Sequence, residues 1–395
     1  MALNPDRVEP ASVQTSTVAV QSTKPRLEFL DSLRGLAAVY VLIYHMVLLP
    51  QPSLGLPKWA EKFALAGGTG VTLFFLVSAF SLYYTMPRRM QEPKPVTSFY
   101  LHRFFRIAPL FYVLIVVSLL RDMLVFGAVH SPAEIVSSAL FVFNLIPTWQ
   151  EGFVWASWTI GVEMVFYALF PLIYARVKSA SAGIALIFAL MMGWIVVQLA
   201  LDYIVMPADW RASIDKWLAL RYFPTFAAGI LVYQLVMPIL NGSADTNRSR
   251  DVGNALVWAG IFAYAALLQG WLPGVFGDAY YWQGLVFGFL LSGFALSPWR
   301  LVVNWVTGYL GRISYSIYLT HTTIIFFLSP VYGWIYERSG SLTLGFILSL
   351  VLTMLVVIPV SDLCYRLFEA PGIKLGKYIA SRLGLQRQSA PVGAI

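Results

Sequence analysis

The sequence predicts an all-α, polytopic membrane protein with about ten transmembrane helices and both termini in the cytoplasm. Three observations point there. The chain of 395 residues is 58% hydrophobic and 12% charged, with a mean hydropathy of +0.71, a composition foreign to soluble domains of this size. It contains ten apolar runs of the length needed to cross a bilayer core, which takes about 20 helical residues. Its 27 Lys and Arg residues divide unequally between the two sides that those runs define.

Residues 1–24 are polar and rich in Ser, Thr and Val, and read as a disordered cytoplasmic tail. The first apolar run starts too far from Met1 for a signal peptide. The spans fall near 33–50, 69–86, 107–127, 156–175, 182–205, 217–239, 253–272, 279–297, 313–335 and 341–363. The apolar stretches 133–147 and 299–311 are too short to span and read as interfacial or re-entrant pieces. With the N-terminus inside, 20 basic residues face the cytoplasm and 7 face out, the positive-inside asymmetry. The net charge of +8 then faces the inner leaflet and cytoplasmic anions, which argues against a nucleic-acid partner. Residues 25–378 read as one transmembrane domain, closed by an amphipathic surface helix, and 379–395 as a basic cytoplasmic tail. The single cysteine, Cys364, leaves no internal disulfide and no Cys-cluster metal site.

Arg34 and His45 lie eleven residues apart in the first span. That is three turns plus about 20°, so the two share one helix face, about 16 Å apart along the axis. A guanidinium and an imidazole on one face inside hydrocarbon line a polar cavity, and their separation matches the pantetheine arm of coenzyme A. His45 lies roughly 7–8 Å below the outer end of span one, and Glu163 roughly 9 Å below the outer end of span four. A carboxylate at that depth orients an imidazole and supports its protonated form. Such a pair takes a proton from a hydroxyl. At the inner mouths of spans one and three, Arg34 clusters with Arg103 and Arg106, which share one helix side; guanidinium forks suit phosphate. Asp31, one turn before Arg34, either pairs with it or caps the helix.

The glycines of GGTGVTLFFLVSAF follow no strand and read as close helix contacts rather than a nucleotide loop. Ser314, Tyr318 and His321 share one face of span nine, and His321 reads as hydrogen-bonded packing near mid-membrane. Haem ligation by His45 with His321 is a weak reading for two spans so distant in sequence. No histidine has an aspartate five residues on, and neither a G-x-S-x-G elbow nor a His-Glu-x-x-His zinc motif occurs.

Six segments appear in order: LDSLRGLA with the Arg34–His45 spacing, GVTLFFLVSAF, YLHRFFRIAPLF, SWTIGVEMVFYALFP, LGRISYSIYLTH, and FEAP at Phe368–Pro371. Together they resemble the membrane-bound acyltransferase-3 family over nearly all of residues 26–378. The resemblance implies ten spans, acyl-CoA (usually acetyl-CoA) entering from the cytoplasm, and transfer of the acyl group across the membrane to a cell-surface carbohydrate or secondary metabolite. It implies His45 as the central catalytic residue, Arg34 and Arg106 in donor handling, and Glu163 as essential. The chain departs from the family at Ser32 and Ala79, where glycine is frequent. It departs again at Met164-Val165, where an acidic residue and glutamine often follow the glutamate.

The expectation is therefore an integral inner-membrane O-acyltransferase whose partners are acyl-CoA, membrane lipids and a carbohydrate or glycolipid acceptor. Arg34, Arg103 and Arg106 hold the CoA phosphates. His45 acts as general base or as transient acyl carrier, with Glu163 orienting it. No metal is called for, because a thioester is already activated. With no fused extracytoplasmic transferase domain, the acyl group passes directly to its acceptor. A transporter or flippase for a glycolipid or metabolite would use similar intramembrane charges, but the chain lacks inverted repeats and the Arg34–His45 spacing favours chemistry. A non-catalytic partner in polysaccharide export is the third reading.

Overall fold

The computed structural model describes residues 27–242, 246–274 and 280–385. The expected tail at 1–24 lies outside these residues, as do residues 386–395 of the expected C-terminal tail. The described residues form fifteen α-helices and no strand: α1 (Glu28–Leu48), α2 (Lys58–Leu65), α3 (Gly70–Arg89), α4 (Pro95–Phe126), α5 (Pro132–Ala139), α6 (Trp158–Arg176), α7 (Ala180–Asp202), α8 (Ala208–Trp217), α9 (Ala219–Asn241), α10 (Thr246–Leu268), α11 (Tyr280–Leu296), α12 (Trp305–Arg312), α13 (Ser314–Ser339), α14 (Leu342–Cys364) and α15 (Ala370–Arg382). Eight helical segments are long and apolar enough to cross a membrane, built on α1, α3, α4, α6, α7, α9, α10 and α14. The two remaining expected spans are α11, apolar but only 17 residues long, and α13, 26 residues long but opened by the hydroxyl-rich stretch SYSIYLTHTT. The short pieces 133–147 and 299–311 become α5 with a 3-10 turn (Phe143–Leu145), and α12.

α1 is the hub; it packs on α3, α12 and α13. Its contact with α12 is backbone to backbone. A Cβ on Gly311 would fall 1.8 Å from the Asp31 carbonyl oxygen, and one on Gly35 would fall 2.5 Å from the Thr307 carbonyl oxygen. Small residues permit such approach between membrane helices, where dispersion contacts replace the hydrophobic effect as the driving force. Ser32, where glycine is frequent in the resembled family, is fully buried in this seam and takes a hydrogen bond from Thr307 at 3.0 Å. The seam fixes the register of α1, and with it the positions of Arg34 and His45.

α4 starts on a proline, which costs little at the first helical position, and ends at Gly127 with φ +65°. Its 32 residues begin well before the expected span at 107. Arg103 and Arg106 therefore sit in its third and fourth turns, inside the helix rather than at its mouth. At the other end, buried Arg121 donates to Asp122 at 2.7 Å and to the Phe153 carbonyl at 3.2 Å, and its guanidinium lies 3.7 Å from the Trp155 ring centre. These contacts hold the irregular segment that leads into α6. In that segment Phe141, Thr148 and Ala156 all have positive φ, a conformation that costs roughly 1–2 kcal/mol per non-glycine residue. Buried Asn144 helps to pin it: its side chain donates to the Trp217 carbonyl at 2.8 Å and accepts from the Ala219 amide at 3.0 Å. Irregular backbone is tolerated at such a place because protein, not lipid, satisfies it.

α15 is joined to α14 by a π turn (Tyr365–Glu369), a feature that recurs at functional sites. α15 packs on α4 through Gly372, where a Cβ would lie 2.6 Å from the Phe105 carbonyl oxygen. That contact carries Glu369, 2% exposed, into the bundle, and Ser316 donates to it at 3.1 Å.

The α1–α12 seam makes a paired prediction. Gly311→Ala should destabilise the protein by about 1–3 kcal/mol, the usual range for overpacking. Gly308→Ala, in the same helix with nothing within 4 Å, should be neutral or stabilise by up to about 1 kcal/mol. Thermal unfolding of both variants in detergent checks this, and equal melting temperatures would show that the seam is loose.

A second prediction concerns His130, in the turn between α4 and α5, which contacts Asp122 at 2.9 Å and Glu134 at 3.1 Å. Burial alone would lower its pKa, but the two carboxylates outweigh burial and hold it above the ordinary histidine value. A raised folded-state pKa contributes stability that is complete below about pH 6.5, the unfolded value, and lost as pH rises through the folded value. Melting temperature should therefore fall more steeply with rising pH above 6.5 in the wild type than in His130→Gln; identical slopes would remove His130 from this role.

Candidate active site

A cavity of ≈ 80 Å³ lies between α1, α3, α4, α6 and α13. That is room for several waters at about 10–15 Å³ each. One end is basic. Arg34 donates to Ser81 at 2.7 Å and lies 3.6 Å from Asp31. The Arg103 guanidinium lies 5.4 Å from the Tyr167 ring centre. Arg106 stands among the charges of Glu369, Glu163 and Asp31. Three guanidiniums are thus matched by three carboxylates. An uncompensated charge here would cost several kcal/mol of desolvation. Among the described residues the Arg106 side chain nevertheless makes no hydrogen bond, which leaves its five N–H donors for something else.

Glu163 and Tyr167 are one helical turn apart on α6, and their side chains meet. The Glu163 carboxylate accepts from Ser78 of α3 at 2.5 Å and from the Tyr167 hydroxyl. The expected pairing of Glu163 with His45 is not among its contacts: Oε1 of the carboxylate accepts from both Ser78 and Tyr167, on the side of the arginines. Equal depth placed the two residues at one level, but it could not specify which way each helix turns its face.

The partner of His45 is His321 of α13. His45 Nδ1 lies 3.0 Å from His321 Nε2 and 3.0 Å from the Val41 carbonyl; His321 Nδ1 lies 3.1 Å from the Ile317 carbonyl. These partners assign the protons. Carbonyls accept only, so His321 carries its proton on Nδ1, and its Nε2 is a lone pair. His45 Nδ1, facing that lone pair and the Val41 carbonyl, must carry the proton. His45 Nε2 is left as a lone pair with no partner among the described residues, the form a proton acceptor needs. His45 Nδ1 and His321 Nε2 meet at hydrogen-bonding distance, 3.0 Å, closer than the about 4 Å between two nitrogens that ligate one metal from opposite sides at about 2.0–2.1 Å.

Neither His45 nor His321 is among the residues that line this cavity, although Arg34, on the same helix face as His45, is. Tyr318, a cavity wall, has its ring 5.8 Å from that of His321, whose ring lies 4.9 Å from that of His45. Tyr318 in turn takes a hydrogen bond from Thr159 at 3.0 Å. The structure therefore brings Arg34, Arg103, Arg106 and Glu163 together around one cavity and sets His45 behind its wall, beyond Tyr318 and His321. Sequence reasoning read His321 as hydrogen-bonded packing, gave Ser78 and Glu369 no chemical role, and did not single out Tyr167. A signal existed for Tyr167: its i, i+4 spacing from Glu163.

A family profile described as an acyltransferase domain matches residues 27–366. The chain is similar to a protein named acyltransferase MdmB of Streptomyces mycarofaciens, 33% identical over 120 residues, which are 28% of this chain and 30% of that protein. The chain thus matches less than a third of that relative's length. No solved structure matches.

The tautomer assignment is open to measurement. Nitrogen NMR of histidine-labelled protein in nanodiscs should find His45 protonated on Nδ1 and bare on Nε2. His321→Ala should weaken that preference. A His45 protonated on Nε2 in the wild type would overturn the proposed proton arrangement.

Proposed function

This chain belongs to the acyltransferase-3 family of membrane acyltransferases, and on that premise we propose that it is an acyl-CoA-dependent O-acyltransferase of the plasma (inner) membrane. It takes an acyl group, most simply acetyl, from cytoplasmic acyl-CoA to a hydroxyl of a carbohydrate, glycolipid or related acceptor. The observation that carries the reading is Arg106: an unbonded guanidinium fork on a cavity it shares with Arg34 and Arg103. Fork geometry suits phosphate. The 20-to-7 distribution of basic residues supports placing that end in the cytoplasm.

The chemistry follows from the histidine pair. His45 Nε2 accepts the proton of the acceptor hydroxyl as its oxygen attacks the thioester carbonyl. The tetrahedral intermediate collapses with cleavage of the C–S bond, the thiolate leaves, and it takes the proton back from His45. The products are an ester and free CoA. While His45 carries the extra proton, its Nδ1–H donates to the His321 lone pair, which stabilises the imidazolium without a carboxylate. Glu163 keeps Tyr167 and the arginines in place and acts on the donor side.

Calorimetry and turnover test this together. Arg106→Ala should weaken CoA binding roughly 10–150-fold, the loss of a charged hydrogen-bonded contact of about 1.5–3 kcal/mol; Arg106→Lys should recover only part. His45→Ala should bind CoA but transfer no acyl group. His321→Ala should lower kcat with the KM for acyl-CoA little moved, and His321→Gln, which retains a polar atom near the Nε2 position, should restore part of it. Unchanged CoA affinity in both Arg106→Ala and Arg34→Ala would sink the donor site, and an active His45→Ala would sink the mechanism.

A further inference from the structure

A second, larger cavity of ≈ 270 Å³ opens at the opposite end of α1 from Arg34. It is formed by the C-terminal end of α1 with the N-terminal ends of α3, α6, α9 and α11. Val71 lines both cavities, and the Phe75 ring of the inner one lies 6.3 Å from Trp158 of the outer one. Tyr44, on the outer wall, has its ring 5.1 Å from the His45 ring. The histidine pair thus adjoins both compartments through wall residues, His321 through Tyr318 of the inner one and His45 through Tyr44 of the outer one.

The walls of the outer cavity have a definite chemistry. Trp158, Tyr222 and Tyr280 form a packed aromatic run, with ring centres 4.8 Å apart for the first two and 5.2 Å for the last two. Thr72 donates to Gln283 Oε1 at 2.6 Å, which holds the amide oxygen and leaves Nε2 facing elsewhere. Among the described residues, Gln283 Nε2, the Trp158 indole N–H and the Tyr44 hydroxyl make no hydrogen bond. None of the lining residues carries a charge. Small-molecule sites combine apolar and aromatic walls with a few placed polar groups in this way. At ≈ 270 Å³ the volume lies just below the usual range of about 300–1,000 Å³.

We propose that this vestibule is the acceptor subsite and that it takes an uncharged glycosyl ring. A sugar ring has apolar C–H faces for Trp158 and the tyrosines, and a rim of hydroxyls for Gln283, Tyr44 and the indole N–H. The uncharged lining would leave a carboxylate or phosphate on that ring unpaired, at a large desolvation cost. An aliphatic alcohol would leave the polar tips unbonded instead. The catalytic role of the site rests on the acyltransferase reading; the ligand chemistry rests on the vestibule alone.

The test separates the two. Saturation-transfer NMR is run on the full chain in nanodiscs, without acyl donor, using methyl glucoside, methyl galactoside, methyl glucuronide and cyclohexanol as probes. At least one neutral glycoside should bind through its C–H face. The glucuronide should bind about a hundredfold more weakly. Gln283→Leu should weaken the neutral glycoside about tenfold and Tyr44→Phe several-fold; the tyrosine variant removes one atom and keeps the packing. No binding by either neutral glycoside overturns the proposal. So does glucuronide or cyclohexanol binding as tightly, or both variants binding like the wild type. Acetyl-CoA is then added. Glycoside binding that obeys this pattern without thioester turnover would overturn the donor assignment and leave the vestibule standing.

Discussion

Three arginines and three carboxylates inside an apolar helix bundle are the constraint around which the rest is arranged. No single pair would be stable there: desolvation of one ion costs several kcal/mol, and an unmatched partner makes it worse. The bundle meets this by drawing the charges from three helices and one π turn. Asp31 and Arg34 come from α1, Arg103 and Arg106 from α4, Glu163 from α6 and Glu369 from the π turn, while α3 supplies Ser78 and Ser81 as neutral hydrogen-bond partners. Each close helix contact has a purpose in this light. Gly311 lets α1 sit low enough on α12 to set Arg34, and Gly372 lets α15 approach α4 so that Glu369 is carried in near Arg106.

The charge cluster and the histidine pair divide the labour. Charge is kept at one end of the cavity, where an anionic donor would enter. His45, the proton-transfer group of the proposed mechanism, stands away from it, in a hydrogen-bonded chain that runs from Ile317 through His321 and His45 to Val41. A carboxylate beside His45 would hold the imidazole partly protonated. In the proposed mechanism a neutral imidazole partner fixes the tautomer and accepts a hydrogen bond from Nδ1, which leaves His45 Nε2 able to take the hydroxyl proton. In this arrangement Glu163 is more useful on the arginine side.

A great deal was readable from the sequence. Apolar length determined the helical class and the approximate spans, because a bilayer admits few alternatives for the backbone. The eleven-residue spacing determined that Arg34 and His45 share a face, because helical periodicity is local. The same holds for Arg103 with Arg106.

Only the tertiary structure decided which faces meet. His45 and Glu163 lie at similar depth, yet rotation of α1 and α6 about their own axes sends one to His321 and the other to Ser78 and Tyr167; depth along an axis carries no information about angle around it. His321 became a partner rather than packing because α13 lies against α1. Glu369 entered the charge cluster through a π turn and a glycine contact about 260 residues away in sequence from Arg106. Sequence periodicity determines the face each helix presents; the angle at which two faces meet depends on side-chain volumes across the whole bundle, and these act only once the chain is packed.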